Sequence, residues 1–149
     1  MKKRNISTLL LVIPMLMPSG VSSSEASESL FPIAKEFAEC TGVYKGVSNV
    51  LEIIGDPDTA LMYNNVGNGS EQAARLLARD FMEPELIGEF VEERSSIGYN
   101  RVLVAYRSGQ SAQQYVDQCE KQADLREEIV NFLLEQIYTQ DRADAIGAR

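Results

Sequence analysis

Hydrophobic residues recur at helical spacing along most of the chain after position 30. In the first such segment the apolar positions step by three or four: Leu30, Ala34, Phe37, Cys40 or Thr41, Tyr44, Val47, Leu51 and Ile54. This spacing predicts one face of a helix about seven turns long. Pro32 is expected in its first turn, and Gly55 followed by Pro57 is expected to end it. Residues 25–29 are polar and are expected to form a loose leader.

Two glycines, Gly42 and Gly46, lie inside this first predicted helix. Glycine in a helix interior costs about 1 kcal/mol relative to alanine. The two glycines therefore weaken the helix unless a neighbouring backbone packs closely against them.

The next segments carry the signals of two further helices. Asp56 is a candidate N-cap for a short helix with the sequence PDTALMYNN, which leads into the turn-rich segment NNVGNGS. Asn68 and Glu71 are spaced as in a capping box, which predicts a second helix over SEQAARLLARDFM. Pro84 marks the junction that follows.

After this junction the pattern is again helical, with Leu86, Ile87, Phe90 and Val91 on one side. Residues 101–106, with the sequence RVLVAY, are also compatible with a buried strand. We expect a helix there, because the chain contains no second strand-like segment that could pair with it.

The last part of the chain predicts a turn and then a long helix. Gly109 ends the preceding helix, and Ser111 with Gln114 three positions later forms a capping box. The apolar stripe of the last helix consists of Ala112, Val116, Cys119, Ala123, Ile129 or Val130, Leu133 and Ile137. The periodic segments and their short junctions predict an all-α, up-and-down bundle of four or five helices.

The chain has two cysteines, and each lies on the apolar stripe of a predicted helix. Cys40 belongs to the first helix and Cys119 to the last, so both side chains are expected to point into one core. In an oxidising compartment two such thiols tend to pair. Their spacing is not C-x-x-C, which argues against a redox-active pair. We predict one structural, interhelical Cys40–Cys119 disulfide; two buried thiols, an intermolecular bond or a reactive thiol are the alternatives.

The N-terminal segment indicates such a compartment. Three basic residues at positions 2–4 precede an apolar run of twelve residues, and a proline, a glycine and small residues follow. This order is that of a secretory signal peptide, and the run is shorter than the roughly 20 residues of a membrane span. We predict a cleaved signal peptide over residues 1–24, a single helical domain over residues 25–149, and a periplasmic or secreted protein without membrane insertion. An uncleaved N-terminal anchor is the alternative.

Removal of the predicted signal changes the charge of the protein. Eleven basic and all twenty-two acidic residues remain, which gives a charge of −11. Such a surface repels phosphate backbones, so nucleic acid is not expected as a partner. The same charge attracts a basic protein or peptide, or serves solubility alone.

The residue composition excludes many catalytic chemistries. The chain contains no histidine and no tryptophan. Histidine-based triads, most zinc and copper sites and histidine-ligated haem are therefore excluded. No phosphate-binding glycine loop, nucleophile elbow or EF-hand loop is present. We therefore predict no catalytic residue, no metal ligand and no cofactor.

The densest acidic run, EPELIGEFVEE, contains no basic residue. On a helix, Glu85, Glu89, Glu92 and Glu93 share a face opposite the apolar side. This arrangement is typical of a solvated helix face, and it is also a candidate docking surface for a basic protein or peptide.

These observations favour a small exported acidic helical protein that acts by binding, as an inhibitor, an immunity protein, an adaptor or an assembly factor. One alternative is a carboxylate-based enzyme, such as a glycan-cleaving hydrolase, which requires a cleft with two carboxyl groups about 5–10 Å apart. Another is a carrier of an apolar ligand, which requires an enclosed cavity of about 300 Å³ or more.

Overall fold

The computed structural model describes residues 23–147. Within this range the chain forms five helices: α1 Ser23–Ile54, α2 Pro57–Ala78, α3 Pro84–Arg107, α4 Gln113–Glu120 and α5 Ala123–Gly147. The predicted all-α bundle with one interhelical disulfide is confirmed. Residues 1–22, most of the predicted signal peptide, lie outside the described residues, and the division into a signal peptide and one domain stays a prediction.

Helix α1 is the centre of the bundle, with α2, α3 and α4 packed around it. Lys45 of α1 pairs with Glu71, and the Ser48 hydroxyl donates to the Ala60 carbonyl, so α2 runs antiparallel to α1. Helix α3 returns parallel to α1. Helix α4 runs antiparallel to α1, since Ala112 before its start lies near Val50 and Gln122 after its end hydrogen-bonds to Glu36. This order is that of an up-and-down bundle.

The core consists of two clusters stacked along α1. The first contains Ala34, Phe37, Ala38, Ala73, Ala74, Ala78, Ile87, Phe90 and Val91. The second contains Cys40, Val43, Tyr44, Val102, Val116 and Cys119. The predicted apolar face of α1 is thus buried as far as Tyr44, whereas its last member, Ile54, is 61% exposed beyond the end of the packed region.

Glycines allow α1 and α3 to touch backbone to backbone. A Cβ atom on Gly42 would overlap the Ser95 carbonyl oxygen, and one on Gly98 would overlap the Glu39 carbonyl oxygen. A Cβ on Gly46 would lie 3.0 Å from the Val102 Cβ. A neighbouring backbone therefore packs closely against both glycines of α1, and this contact offsets their low helix propensity.

The start of α1 differs from the prediction. The helix begins at Ser23, so residues 25–29 are helical and do not form a loose leader. Pro32 consequently lies inside the helix, although it was expected in the first turn.

Helix α2 is continuous, and the prediction of two shorter helices divided by a turn is wrong. Asp56 does cap it, since its side chain accepts from the Thr59 amide at 3.2 Å. The glycines of the supposed turn lie inside the helix. A Cβ on Gly67 would lie 3.3 Å from the Tyr44 Cβ, so this glycine lets α1 approach. The pairing of Asn68 with Glu71 is therefore not a capping box.

The predicted long last helix is divided into α4 and α5 by a turn at residues 121–122. The predicted capping box at its start is also not formed. The Ser111 hydroxyl accepts from the Gln113 amide at 3.1 Å, and the structure assigns Ala112 as the N-cap. Gly109 ends the preceding helix with a φ of +66°, as expected for a left-handed C-terminal residue.

The Cys40–Cys119 disulfide joins α1 to α4. The two sulfur atoms are 2.07 Å apart, and the two Cα atoms are 5.6 Å apart. The bond closes a segment with a sequence separation of 79. Helix α4 has only eight residues, and the disulfide links it covalently to the central helix.

We expect loss of this disulfide to destabilise the fold without changing oligomeric state. In the chain-entropy model a loop of this length contributes about 4.5 kcal/mol, which lowers Tm by roughly 10 °C or more. Thermal unfolding of the wild type and of the Cys40→Ser, Cys119→Ser double variant measures this effect. Alkylation of two thiols in the native, non-reduced protein would contradict the bond.

Replacement of a crossing glycine should be costly. Gly42→Ala places a methyl group on the Ser95 carbonyl oxygen, and overpacking of this kind costs about 1–3 kcal/mol or more. Gly88→Ala in α3 is the matched control, because its Cβ would meet nothing within 4 Å. The control should gain about 0.5–1 kcal/mol from helix propensity. Urea unfolding measures the free energy of unfolding of both variants. Equal stabilities of Gly42→Ala and Gly88→Ala would refute the tight crossing.

Candidate functional site

The four predicted glutamates lie together on the outer face of α3. Glu85, Glu89, Glu92 and Glu93 are all exposed. The opposite face of the helix carries the buried residues Ile87, Phe90, Val91, Gly98, Val102 and Ala105. Only Glu85 lies in the first turn, where the helix dipole favours a negative charge. The dipole therefore does not account for the other three carboxylates.

An apolar border runs beside this acidic face. Leu86 was expected on the buried side, but it is 53% exposed, because the core side of α3 is centred on Ile87 and Val91. Phe31 of α1 is 40% exposed, and its ring centroid lies 6.0 Å from that of Phe90. Leu86 lies one turn from Phe90 on α3, and Phe90 contacts Phe31. The exposed side chains of Leu86 and Phe31 therefore form an apolar border on the side of α3 next to the glutamates.

Two glutamates elsewhere in the bundle, Glu39 and Glu71, have basic partners. Glu39 is paired with Lys35 and Arg101, and Glu71 is paired with Lys45 and Arg75. Burial would raise the pKa of Glu71, but hydrogen bonds from Lys45 and Arg75 outweigh it and lower the pKa of this carboxyl. Among the residues that the structure describes, no such ion pair involves the α3 glutamates.

A second polar arrangement lies between α1, α4 and α5. The Tyr44 hydroxyl donates to Glu120 Oε1 at 2.6 Å and accepts from a terminal nitrogen of Arg126 at 3.0 Å. Arg126 is only 7% exposed, and its Cζ lies 5.3 Å from the centroid of the Tyr44 ring. Tyr44 therefore joins a buried cation to an exposed carboxylate and attaches the start of α5 to the central helix.

The environment of Tyr44 favours its neutral form. Burial raises the pKa of the phenol above its usual range, and the hydrogen bond to Glu120 adds to the rise. Arg126 acts in the opposite direction and lowers this pKa. The net shift is upward, so the hydroxyl stays protonated at neutral pH and remains able to donate to Glu120.

Two of the cavities bear on the alternative functions. One, of about 170 Å³, is lined mainly by apolar residues: Val47, Val50, Leu51, Val102, Tyr106, Gln110 and Ala112. It is smaller than usual ligand pockets of about 300–1,000 Å³. Another, of about 510 Å³, carries Asp124, Glu127, Glu128 and Glu135, and the described residues that line it all belong to α5. Within the part of the chain that the structure describes, these residues supply a single wall.

Residues 23–147 contain neither a candidate metal site nor a candidate membrane span. In this part of the chain no group of three or more histidine, cysteine or acidic side chains is arranged to hold a metal ion. None of the helices there has the length and apolar character needed to cross a membrane.

Comparison with known proteins gives no further indication of function. No family model matches the chain, and neither the curated proteins nor the solved structures contain a significant match.

Arg126 was not among the residues predicted from the sequence. The predicted stripe of the last helix passes from Ala123 to Ile129 or Val130. The intervening helical position, three residues after Ala123 and four before Val130, is Arg126, and it is buried. A basic residue at a core position of an amphipathic pattern was the signal that could have identified it.

We expect Tyr44→Phe to reveal the energetic role of the hydroxyl through its pH dependence. The variant leaves Arg126 without this buried acceptor, which should cost about 1–3 kcal/mol near neutral pH. The raised pKa means that wild-type stability from Tyr44 is present below the ordinary tyrosine pKa of about 10 and declines above it. The deficit of the variant should therefore shrink in urea unfolding experiments at rising alkaline pH. A deficit that grows under those conditions would contradict the assignment.

Proposed function

We propose that this protein acts by binding, and that the outer face of α3 docks a basic, amphipathic segment of a partner protein or peptide. The segment would place lysine or arginine side chains against Glu85, Glu89, Glu92 and Glu93. Its apolar side would cover Leu86 and Phe31. With the predicted signal removed, the charge of −11 would steer such a partner toward the surface.

The observation that carries this proposal is the contrast between two groups of glutamates. Glu39 and Glu71 are half-buried and neutralised by basic side chains, so their role in the fold is apparent. The four α3 glutamates are exposed, and among the described residues no basic side chain pairs with them. Four like charges on one face repel one another, and a basic partner would relieve that repulsion.

The exposed apolar border supports a partner that is amphipathic as well as basic. Large apolar side chains at the centre of an interface contribute most of its affinity, and charges at the rim mainly affect the association rate. Leu86 and Phe31 would supply the apolar part of the contact. The glutamates would accelerate association and orient the partner on the surface.

The geometry favours binding over the two alternatives. Among residues 23–147 the carboxylate-bearing hollow on α5 has one wall, whereas a glycan-cleaving enzyme needs carboxyl groups on both sides of its substrate. The cavity at Val47 and Val102 holds about 170 Å³, which is small for a carrier of apolar ligands. Export to the periplasm or beyond belongs to the same proposal, and the Cys40–Cys119 disulfide supports an oxidising location.

The test replaces Glu85, Glu89, Glu92 and Glu93 with Gln. The matched control carries Glu52→Gln, Asp124→Asn, Glu128→Gln and Glu135→Gln, which remove the same charge from exposed positions on α1 and α5. The probe is a synthetic amphipathic helix with lysines on one side and leucines on the other. Surface plasmon resonance should show a much slower association with the α3 variant than with the control, and the difference should shrink as salt screens the charges.

Leu86→Ala adds an independent measurement. Its loss should accelerate dissociation several-fold, because it removes an apolar contact and no charge. If both four-residue variants bind the probe alike and Leu86→Ala has no effect, the glutamates are a solvated face and the docking proposal is wrong.

A further inference from the structure

A groove between α2 and α5 lies apart from the outer face of α3. Helix α2 contributes Asn65, Val66 and Gly69 to its lining. Helix α5 contributes Arg126, Glu127, Val130 and Asn131. The groove has a volume of about 330 Å³, which falls within the range of small-molecule sites.

The guanidinium of Arg126 is the unusual feature of this groove. Lys35, Lys45, Arg75 and Arg101 each have a carboxylate oxygen within 4.0 Å. Among the described residues Arg126 has no carboxylate at that distance, although it is the most deeply buried of these cations. Its connection to the Glu120 carboxylate runs only through the Tyr44 hydroxyl, so this buried charge has no direct ion pair, and such a charge is costly. The Tyr44 hydroxyl occupies one of its five N–H donors, so the guanidinium has further donors for a ligand.

The other groups that line the groove narrow the chemistry of that ligand. A guanidinium matches a carboxylate through two parallel hydrogen bonds. Val66 and Val130 supply apolar walls, and Asn65 and Asn131 supply amides. Glu127 at the edge disfavours a simple anion and favours a ligand that also carries an ammonium group. The strong net negative charge of the protein likewise repels anions, whereas a zwitterion carries no net charge.

We propose that this groove binds a small zwitterion of the amino-acid class, with its carboxylate on Arg126, its ammonium group toward Glu127 and a short apolar group between Val66 and Val130. The site lies on α2 and α5 and does not depend on the docking surface of α3. Failure of the docking proposal would therefore leave this proposal intact, and the reverse is also true.

The test compares three probes on the full chain: L-valine, 3-methylbutanoate and isobutylamine. The second lacks the ammonium group of valine, and the third lacks its carboxylate. The readout is the side-chain N–H resonance of Arg126, which is assigned by its disappearance in Arg126→Lys. L-Valine should shift this resonance with the highest affinity, 3-methylbutanoate should bind more weakly, and isobutylamine should leave it unchanged.

Substitution of Gly69 tests the location. A Cβ there would lie 3.7 Å from Val130 Cγ2 and 3.9 Å from Arg126 Cδ, so a side chain enters the groove without a backbone clash. Gly69→Leu should weaken L-valine binding at least about tenfold, a change of about 1.4 kcal/mol. Gly88→Leu on α3 is the matched control, because its Cβ would meet nothing within 4 Å, and it should bind like the wild type.

Three results would overturn the proposal: L-valine leaves the Arg126 resonance unmoved, isobutylamine binds as well as L-valine, or both leucine variants bind alike. In each case Arg126 serves only to attach α5 to Tyr44. Should Gly69→Leu fail to fold, the comparison of the three probes on the wild type still decides between these outcomes.

Discussion

The backbones of α1 and α3 touch at Gly42 and Gly98, and the orientation of the other parts of the bundle depends on that contact. A side chain at either position would overlap a carbonyl oxygen of the opposing helix. The contact therefore fixes both the separation of the two helices and the rotation of α3 about its axis. With Gly98 turned toward α1, Val91 two turns earlier also faces the core, and the glutamates must point outward. A tight crossing in the middle of α3 thus determines what its N-terminal half presents to solvent.

The second half of the chain is attached to this framework by different means. Helix α4 is short, and the disulfide holds it to α1. The Gln122 amide donates to Glu36, so the turn after α4 is also bound to the central helix. Helix α5 then packs along α2, with Val130 close to Gly69 and Arg126 reaching Tyr44. Because Arg126 is part of both the attachment and the groove, occupancy of the groove should be coupled to how firmly α5 is held.

Several of these features could be predicted from the sequence, because they follow from local physical rules. The stripe at Phe37, Cys40 and Tyr44 has the period of a helix, and its burial was expected. The disulfide followed from two cysteines on two such stripes. The cap at Asp56 and the end of α3 near Gly109 follow from the conformational preferences of those residues.

The features that were missed depend on tertiary contacts. Gly67 and Gly69 resemble turn residues in the sequence, yet they lie inside α2, where the missing side chains admit α1 and α5. Local propensity cannot distinguish these two uses of glycine, because the neighbouring helix supplies the compensating energy. The exposure of Leu86 likewise depends on the rotation of α3, which the glycine crossing sets. The four outward glutamates could be predicted, whereas the apolar border beside them could not.

Some charges of the bundle are paired within it, and others are not. On α1 and α2 the described ion pairs neutralise Glu39 and Glu71. Among the described residues, two features without a direct ion pair concern the proposed sites: four exposed carboxylates on α3, and one buried guanidinium beside α2. The α3 glutamates and Arg126 do not pair with each other, because they lie on different helices. The crossing of α1 and α3 also holds the glutamates outward. A molecule of complementary charge would relieve the unfavourable energy at each place. Because the two places differ in size and burial, the proposed molecules differ as well: a basic surface would bind at α3, and a small carboxylate-bearing molecule would bind at Arg126.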